Sequence, residues 1–299
     1  MFDYESLFAL AAIIREGSFE RAARTLNVTP SAVSQRIRLL EERVGTPLVV
    51  RGQPCHATEM GRRLCQHVDR VRLLERELHD ALPTLATDGG ARVEMPIAVN
   101  ADSLATWFAP VAATFAAESP VLLNVALDDQ DHTAEWLRSG VVIAAVTGSS
   151  RPPAGCNSRA LGAMRYLAVA SPAYVARYFS AGVGAGTLAR APSLVFNTKD
   201  ELQARWAYRL CHQHVELPRH TFPSPHAFVT AALAGMGWGL HPQSLITPYL
   251  AAGDLVELVP DSHSDVPLFW QHARASSSLL EGLSRVVIDA AKVALVQTG

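Results

Sequence analysis

At 299 residues, 49% of them hydrophobic, the chain has apolar content for a sizeable core in two or more domains, which excludes a disordered tail and a mini-protein. No apolar run approaches the ~18 residues needed to span a bilayer, and the opening MFDYES is no basic-then-apolar leader, so a cytoplasmic protein without membrane contact is expected. The net charge of −2 is unevenly spread: residues 1–72 hold 11 Arg against 8 acidic residues while the remainder is net −5, a basic head before an acidic body that hints at a polyanion-binding head.

Tyr4 to Glu16 carries Leu7, Leu10, Ala11 and Ile14 at helical spacing, and Gly17 ends that helix. Ser18 is placed to cap a second helix, Phe19 to Leu26, whose Ala22, Ala23 and Leu26 allow close packing. Asn27 and Val28 make a tight turn. Thr29 is then a good N-cap and Pro30 stands at the first helical position, where no N–H is needed, so a third helix starts here. Its Val33, Ile37 and Leu40 face inward, which leaves Ser31, Ser34, Gln35 and Arg38 together on the opposite face. Gln and Arg make bidentate contacts to adenine and guanine edges, and a helix-turn-helix offers the N-terminus of its second helix, here Thr29 and Pro30, to the major groove. Gln35, Ser34 and Arg38 are expected to read bases while Arg36 and Arg51 hold phosphates.

PLVVRGQPCHAT, after Gly45, reads as a two-stranded wing with Arg51 at its tip. Thr58 then caps a helix to about Leu82, in which Leu64, Val68, Val71, Leu74 and Leu78 form a seam that asks for a partner helix. At ~1.5 Å per residue this helix would run ~37 Å, too long to pack wholly on the small head, so dimerisation is its natural use. The stretch Gly17 to Arg51, GSFERAARTLNVTPSAVSQRIRLLEERVGTPLVVR, resembles the winged helix-turn-helix of the LysR-type transcriptional regulators, and the long helix is similar to that family's dimerising linker. AVNADSLATW, Ala98 to Trp107, and AFVTAALAGMG, Ala227 to Gly237, point to the ArgP/LysG branch, which controls basic amino acid export. The resemblance implies a regulator, acting as activator on double-stranded operator DNA and RNA polymerase, and a homodimer that pairs into a homotetramer.

The polar segment PTLATDGGAR, Pro83 to Arg92, marks a domain boundary. Expected domains are a winged helix-turn-helix over residues 1–57, a linker helix and hinge over 58–91, and an effector domain over 92–299. Strands at Val93–Val99, Val121–Leu127 and Val142–Val146 alternate with helices at Leu104–Ala117 and His132–Ser139, the pattern of an α/β domain with a largely parallel sheet. A second set begins near Ser193 and includes a helix through Trp206 and a strand at Trp238 to His241; Met164–Ala170 and Pro267–His272 read as crossing strands. Two lobes follow, one of about 92–168 and 272–299, the other about 169–271, and the resemblance implies the same two-lobed fold similar to periplasmic binding proteins.

Ligands of open α/β sheets bind beyond the carboxyl ends of strands, here in loops rich in Asn, Asp, Ser and Thr. Ser103 at a helix start, with Thr147, is suited to an α-carboxylate, while Asp102 or Asp129 can face an amine or guanidinium. Gln130, Asn197 and Ser224 belong to the same loop set. A carboxylate at one end and a cation at the other describe a basic amino acid, lysine or arginine, a ligand class that also leans on the resemblance. A different small effector is the alternative, and an amino-acid-handling α/β enzyme a lesser one, since no GxSxG elbow or cofactor loop occurs. The consecutive carboxylates of DDQDH (Asp128 to His132) read as capping or solvated groups at a strand-to-helix turn, CHQH (Cys211 to His214) lacks a second cluster at zinc-site spacing, and the four cysteines are widely spaced, so neither metal, cofactor nor disulfide is expected.

Overall fold

The computed structural model describes residues 3–81, 94–128, 136–137, 141–274 and 278–297, with backbone alone at 73, 76–81 and 128. Its first three helices stand where local signals set them. Helix α1, Tyr4–Glu16, is capped by Asp3 and stops at Gly17, whose φ of 67° lies in the left-handed region. Helix α2, Phe19–Thr25, is capped by the Ser18 hydroxyl, and α3, Pro30–Val44, by the Thr29 hydroxyl accepting from the Ala32 N–H at 3.2 Å. Leu7, Leu10, Ile13, Ala22, Val33 and Ile37 close over one another as a dry core.

The wing is the antiparallel pair β1, Val49–Val50, and β2, His56–Ala57. Thr58 joins it to the long helix α4, Glu59–Ala81, by donating to the Pro47 carbonyl and accepting from the Gly61 N–H. Gly61 is required here, because a Cβ would lie 2.1 Å from the Leu48 carbonyl oxygen.

One part of the seam is corrected. Val68 is fully buried within the head's own core and Leu64 packs against that core, so both close on their own chain, α4 lying against α1. The apolar period of a helix reveals a stripe but not what covers it. Farther along, Val71 is half-buried and Leu74 is 57% exposed; the Leu78 side chain lies outside the described residues.

The second part of the chain is built on one sheet. Strand β3, Glu94–Asn100, runs parallel to β4, Leu122–Asp128, and β5, Ala144–Thr147. Two long strands cross it: β6, Cys156–Ala170, and, later in the chain, Ser264–Ala273, which pairs antiparallel with both β5 and β6. Both contain the stretches expected to cross. Between them come α7, Pro172–Tyr178, the short α8, Ala185–Leu188, β7, Ser193–Val195, α9, Leu202–Cys211, β8, Arg219–Thr221, α10, Pro225–Leu233, β9, Gly239–Pro242, α11, Gln243–Ala252, and β10, Val256–Glu257. Strands β9 and β10 pair with β6, while β7 and β8 form a small parallel pair of their own. The closing helix α12, Ser278–Ala294, buries Leu280, Leu283, Val287 and Ala291.

The helix expected at Leu104–Ala117 is not uniform. A first turn, α5 at Ala101–Ser103, passes into a π-helical turn at Leu104–Phe108 before α6, Ala109–Glu118. The helix expected at His132–Ser139 falls outside the described residues apart from Trp136 and Leu137, which are helical. Among the described residues no helix is long and apolar enough to cross a membrane.

Candidate functional site

Two surfaces carry the chemistry. On α3, Ser31, Gln35 and Arg38 are exposed and Ser34 is half-exposed, the face opposite Val33, Ile37 and Leu40. The Thr29 and Ser31 hydroxyls lie 3.0 Å apart at the helix start, next to Pro30. Arg38 pairs with Glu42 at 3.2 Å, and Arg36, half-buried, pairs with the exposed Glu5 at 2.6 Å. Such surface pairs are worth ~0–1 kcal/mol each, so a phosphate can displace the carboxylate. Arg51 stands over the Phe19 ring at 5.3 Å. With Arg21 and Arg24 it lines a shallow basic depression between α2 and the wing. Those two arginines were missed by the sequence reading, although both lie on the outward face of α2, away from Ala22 and Ala23.

The second surface is a cleft of about 700 Å³, most of it the open space at its mouth. One wall is the end of β3 with α5, namely Asn100, Ala101 and Asp102. Tyr166 of β6 stands between the walls. The facing wall comes from the turn after β7 (Phe196, Asn197), the start of α9, the start of α10 and strand β9. Asp102 is largely buried, and the Tyr166 hydroxyl donates to its Oδ2 at 2.7 Å. Burial, with a smaller push from the neighbouring carboxylate of Asp200, raises the Asp102 pKa to about 6 against the pull of that hydrogen bond. Burial beside Asp102 likewise pushes the Tyr166 phenol well above its ordinary value. Asp200 has a structural task, accepting from the Phe196 N–H at 2.9 Å and the Leu202 N–H at 3.0 Å.

Of the residues expected at the effector site, the fold brings Asp102 and Asn197 to the cleft lining, where the Asn197 side chain accepts from the Lys199 N–H at 2.8 Å. Ser103, next to Asp102 in the chain, is fully buried, and among the described residues its hydroxyl has no hydrogen-bond partner. Thr147 is also fully buried at the end of β5, with its hydroxyl accepting from the Ser149 N–H, and does not line the cleft. Ser224 acts as the N-cap of α10 and leaves the lining to Pro225. Asp129 and Gln130 lie outside the described residues.

Tyr166 and His241 line the cleft without having been singled out in the sequence. Tyr166 was hidden in a crossing strand. His241 was hidden in GLHP, which reads as one more buried strand.

Comparison with known proteins covers both surfaces. Residues 4–62 match the model "Bacterial regulatory helix-turn-helix protein, lysR family", and residues 89–292 match "LysR substrate binding domain". The chain is 46% identical over 297 residues, 99% of its length and 98% of the relative's, to the HTH-type transcriptional regulator ArgP of Pseudomonas aeruginosa. Among solved structures, ArgP from Mycobacterium tuberculosis superposes with a TM-score of 0.85 at 43% identity, covering all of both chains. Full-length LysG from Corynebacterium glutamicum with bound effector Arg superposes with a TM-score of 0.74 at 38% identity, over 99% of this chain and 100% of that one.

Proposed function

This chain belongs to the LysR family of bacterial transcriptional regulators, and we propose that the effector its cleft senses is a basic amino acid, arginine or lysine. It is a ligand-responsive DNA-binding regulator and not an enzyme. The observation that carries the choice of ligand is Asp102. A carboxylate that is largely buried, held by one hydroxyl and pressed by a second carboxylate creates a demand for a cation that the ligand meets. The relative crystallised with arginine supports the same ligand class.

In this reading residues 1–57 form the DNA-binding domain, 58–91 the dimerising linker and hinge, and 92–299 the effector domain. The α-carboxylate of the effector lies toward Ser103 and the start of α5, and Asp102 faces its positive group. Asp129, Gln130, Thr147, Asn197 and Ser224 belong to the loops that close on it. The protein works in the cytoplasm as a homodimer joined through Val71, Leu74 and Leu78, and two dimers pair into a tetramer. Closure of the cleft reorients the halves of the dimer on the operator and changes contact with RNA polymerase at a basic amino acid exporter gene, so that transcription changes more than DNA affinity.

Calorimetric titration of wild type and Asp102→Asn with arginine, lysine, leucine and glutamate tests the ligand. Saturable heat with arginine or lysine, lost in the variant and absent with leucine and glutamate, is the expected result. A leucine response, or a variant that binds as wild type does, refutes the charge pairing.

A further inference from the structure

Around the cleft, among the described residues, hydrogen-bonding groups are left without protein partners, and they come from both walls. Asn100, 2% exposed at the end of β3, has no partner for its side-chain carbonyl oxygen. His241 on β9 is fully buried, and neither of its ring nitrogens has a partner. Both residues line the same cleft as Asp102. Buried polar groups in folded proteins are nearly always paired, and leaving one unpaired destabilises the fold, so two such groups on facing walls of one cleft need an explanation.

The surroundings of His241 exclude a packing account. The ring sits edge-on to Phe228, with centroids 4.7 Å apart, in space that exists because residue 239 is glycine: a Cβ there would come within 2.8 Å of Phe228 and 3.3 Å of His241 Nε2. A leucine would serve an apolar pocket of this kind better than an imidazole does. Burial holds the imidazole neutral, with its pKa down at about 3, so at any ordinary pH one ring nitrogen carries a lone pair.

We propose that His241 is a specificity-determining contact to the effector, accepting a hydrogen bond from a guanidinium N–H while Asn100 and Asp102 accept others, so that the cleft prefers arginine to lysine. This deepens the proposed function and rests on it. The argument is one of complementary counts. The neutral imidazole nitrogen, the Asn100 carbonyl and the Asp102 carboxylate are all acceptors. A guanidinium presents five N–H donors spread over three nitrogens in a fixed planar fork, whereas an ammonium presents three from a single atom, so all its acceptors must lie within hydrogen-bond reach of one point.

The test uses the full-length protein and His241→Leu, which keeps the branching at Cγ without added bulk. Two quantities are measured: the melting temperature without ligand, and the dissociation constants for arginine and lysine by calorimetry. The unliganded variant is expected to melt no lower than wild type, because the substitution removes an unpaired buried polar group. Its arginine affinity should fall roughly tenfold to a hundredfold, the loss expected for one hydrogen bond to a charged group, and lysine affinity by less, so that the preference shrinks. His241→Asn, which retains an acceptor, should recover part of the arginine affinity. An unliganded variant that melts below wild type makes His241 a structural residue and overturns the inference whatever its affinity. So does a variant with wild-type preference for arginine over lysine, or a wild type that binds lysine as tightly as arginine. If wild type takes up neither amino acid, the proposed function itself fails and the guanidinium contact falls with it; that outcome is read from wild type alone.

Discussion

In the head, the buried Ser6 donates its hydroxyl to Asp3, which also caps α1, whereas around the cleft the Asn100 side-chain carbonyl, the Ser103 hydroxyl and both His241 ring nitrogens are buried as deeply and have no hydrogen-bond partner among the described residues. Every unpaired buried side-chain atom among the described residues belongs to the second part of the chain, from Asn100 onward. The head satisfies its polar groups internally and presents a finished surface, as a module that must hold several side chains in register with a rigid duplex requires. The cleft leaves its hydrogen bonding to be completed, which is the condition for a ligand to shift its conformational balance.

The comparison can be broken most severely at α4, where the head closes over one end of the apolar stripe and the proposed dimer would use the other. Val68→Asp puts an unpaired charge into the closed core of the head and should cost about 3–5 kcal/mol, unfolding the head and abolishing DNA binding, as read by circular dichroism and gel shift. Leu74→Asp, only two turns farther on but 57% exposed in the single chain, should leave the head folded and dissociate the dimer in sedimentation. If both variants merely dissociate, α4 does not divide in this way.

A smaller effect is expected on the finished surface. Gln35→Ala should weaken binding to the operator by about 1–3 kcal/mol and change binding to random DNA little, while Arg51→Ala should weaken both. Equal losses on both DNAs for Gln35→Ala would place that side chain on phosphate and not on a base.

The smallest effect is a pH dependence confined to the cleft. The folded chain holds the Asp102 proton to about pH 6, against 3.8 for the ordinary group, so folding takes up a proton between these values. Without ligand, stability from this residue is therefore greatest below about pH 4 and declines as pH rises through 6. Arginine binding runs the other way, since it needs the carboxylate: its dissociation constant should be flat above about pH 7 and rise by up to about tenfold per unit below 6. Asp102→Asn should flatten the stability profile, measured by melting across pH; an unchanged profile would remove Asp102 as its source.

What could be read from the sequence follows the same division. The caps at Ser18 and Thr29, the stop at Gly17 and the polar face of α3 are local signals, fixed by residues within a few positions of one another, and the structure repeats them. In the cleft, Asp102 and Asn197 were legible as strand-end loops. His241 was not, because its meaning lies in partners it lacks, and only the fold shows that β9 carries it to the same space as Asn100. Val68 was read as a free seam residue because periodicity cannot tell a partner chain from the chain's own α1.

The π-helical turn at Leu104–Phe108 gives the rim of the cleft an allowance in residue count. It takes in one residue more than an α-turn would, between the polar start at Asp102 and the anchors Trp107 and Phe108 buried in the core. Removing a single residue between Ser103 and Trp107 would let the segment close as an ordinary α-helix without altering any other side chain named here. Because the wide turn already absorbs that residue, Asp102 and Ser103 would keep their phase relative to the anchored Trp107 and Phe108; a second deletion, with no wide turn left to absorb it, would turn them by about 100° away from Tyr166. The wide turn is thus a one-residue allowance in length, and a chimaera that exchanges cleft loops between relatives should keep its ligand with one residue fewer from Asn100 to Phe108 but not with two fewer.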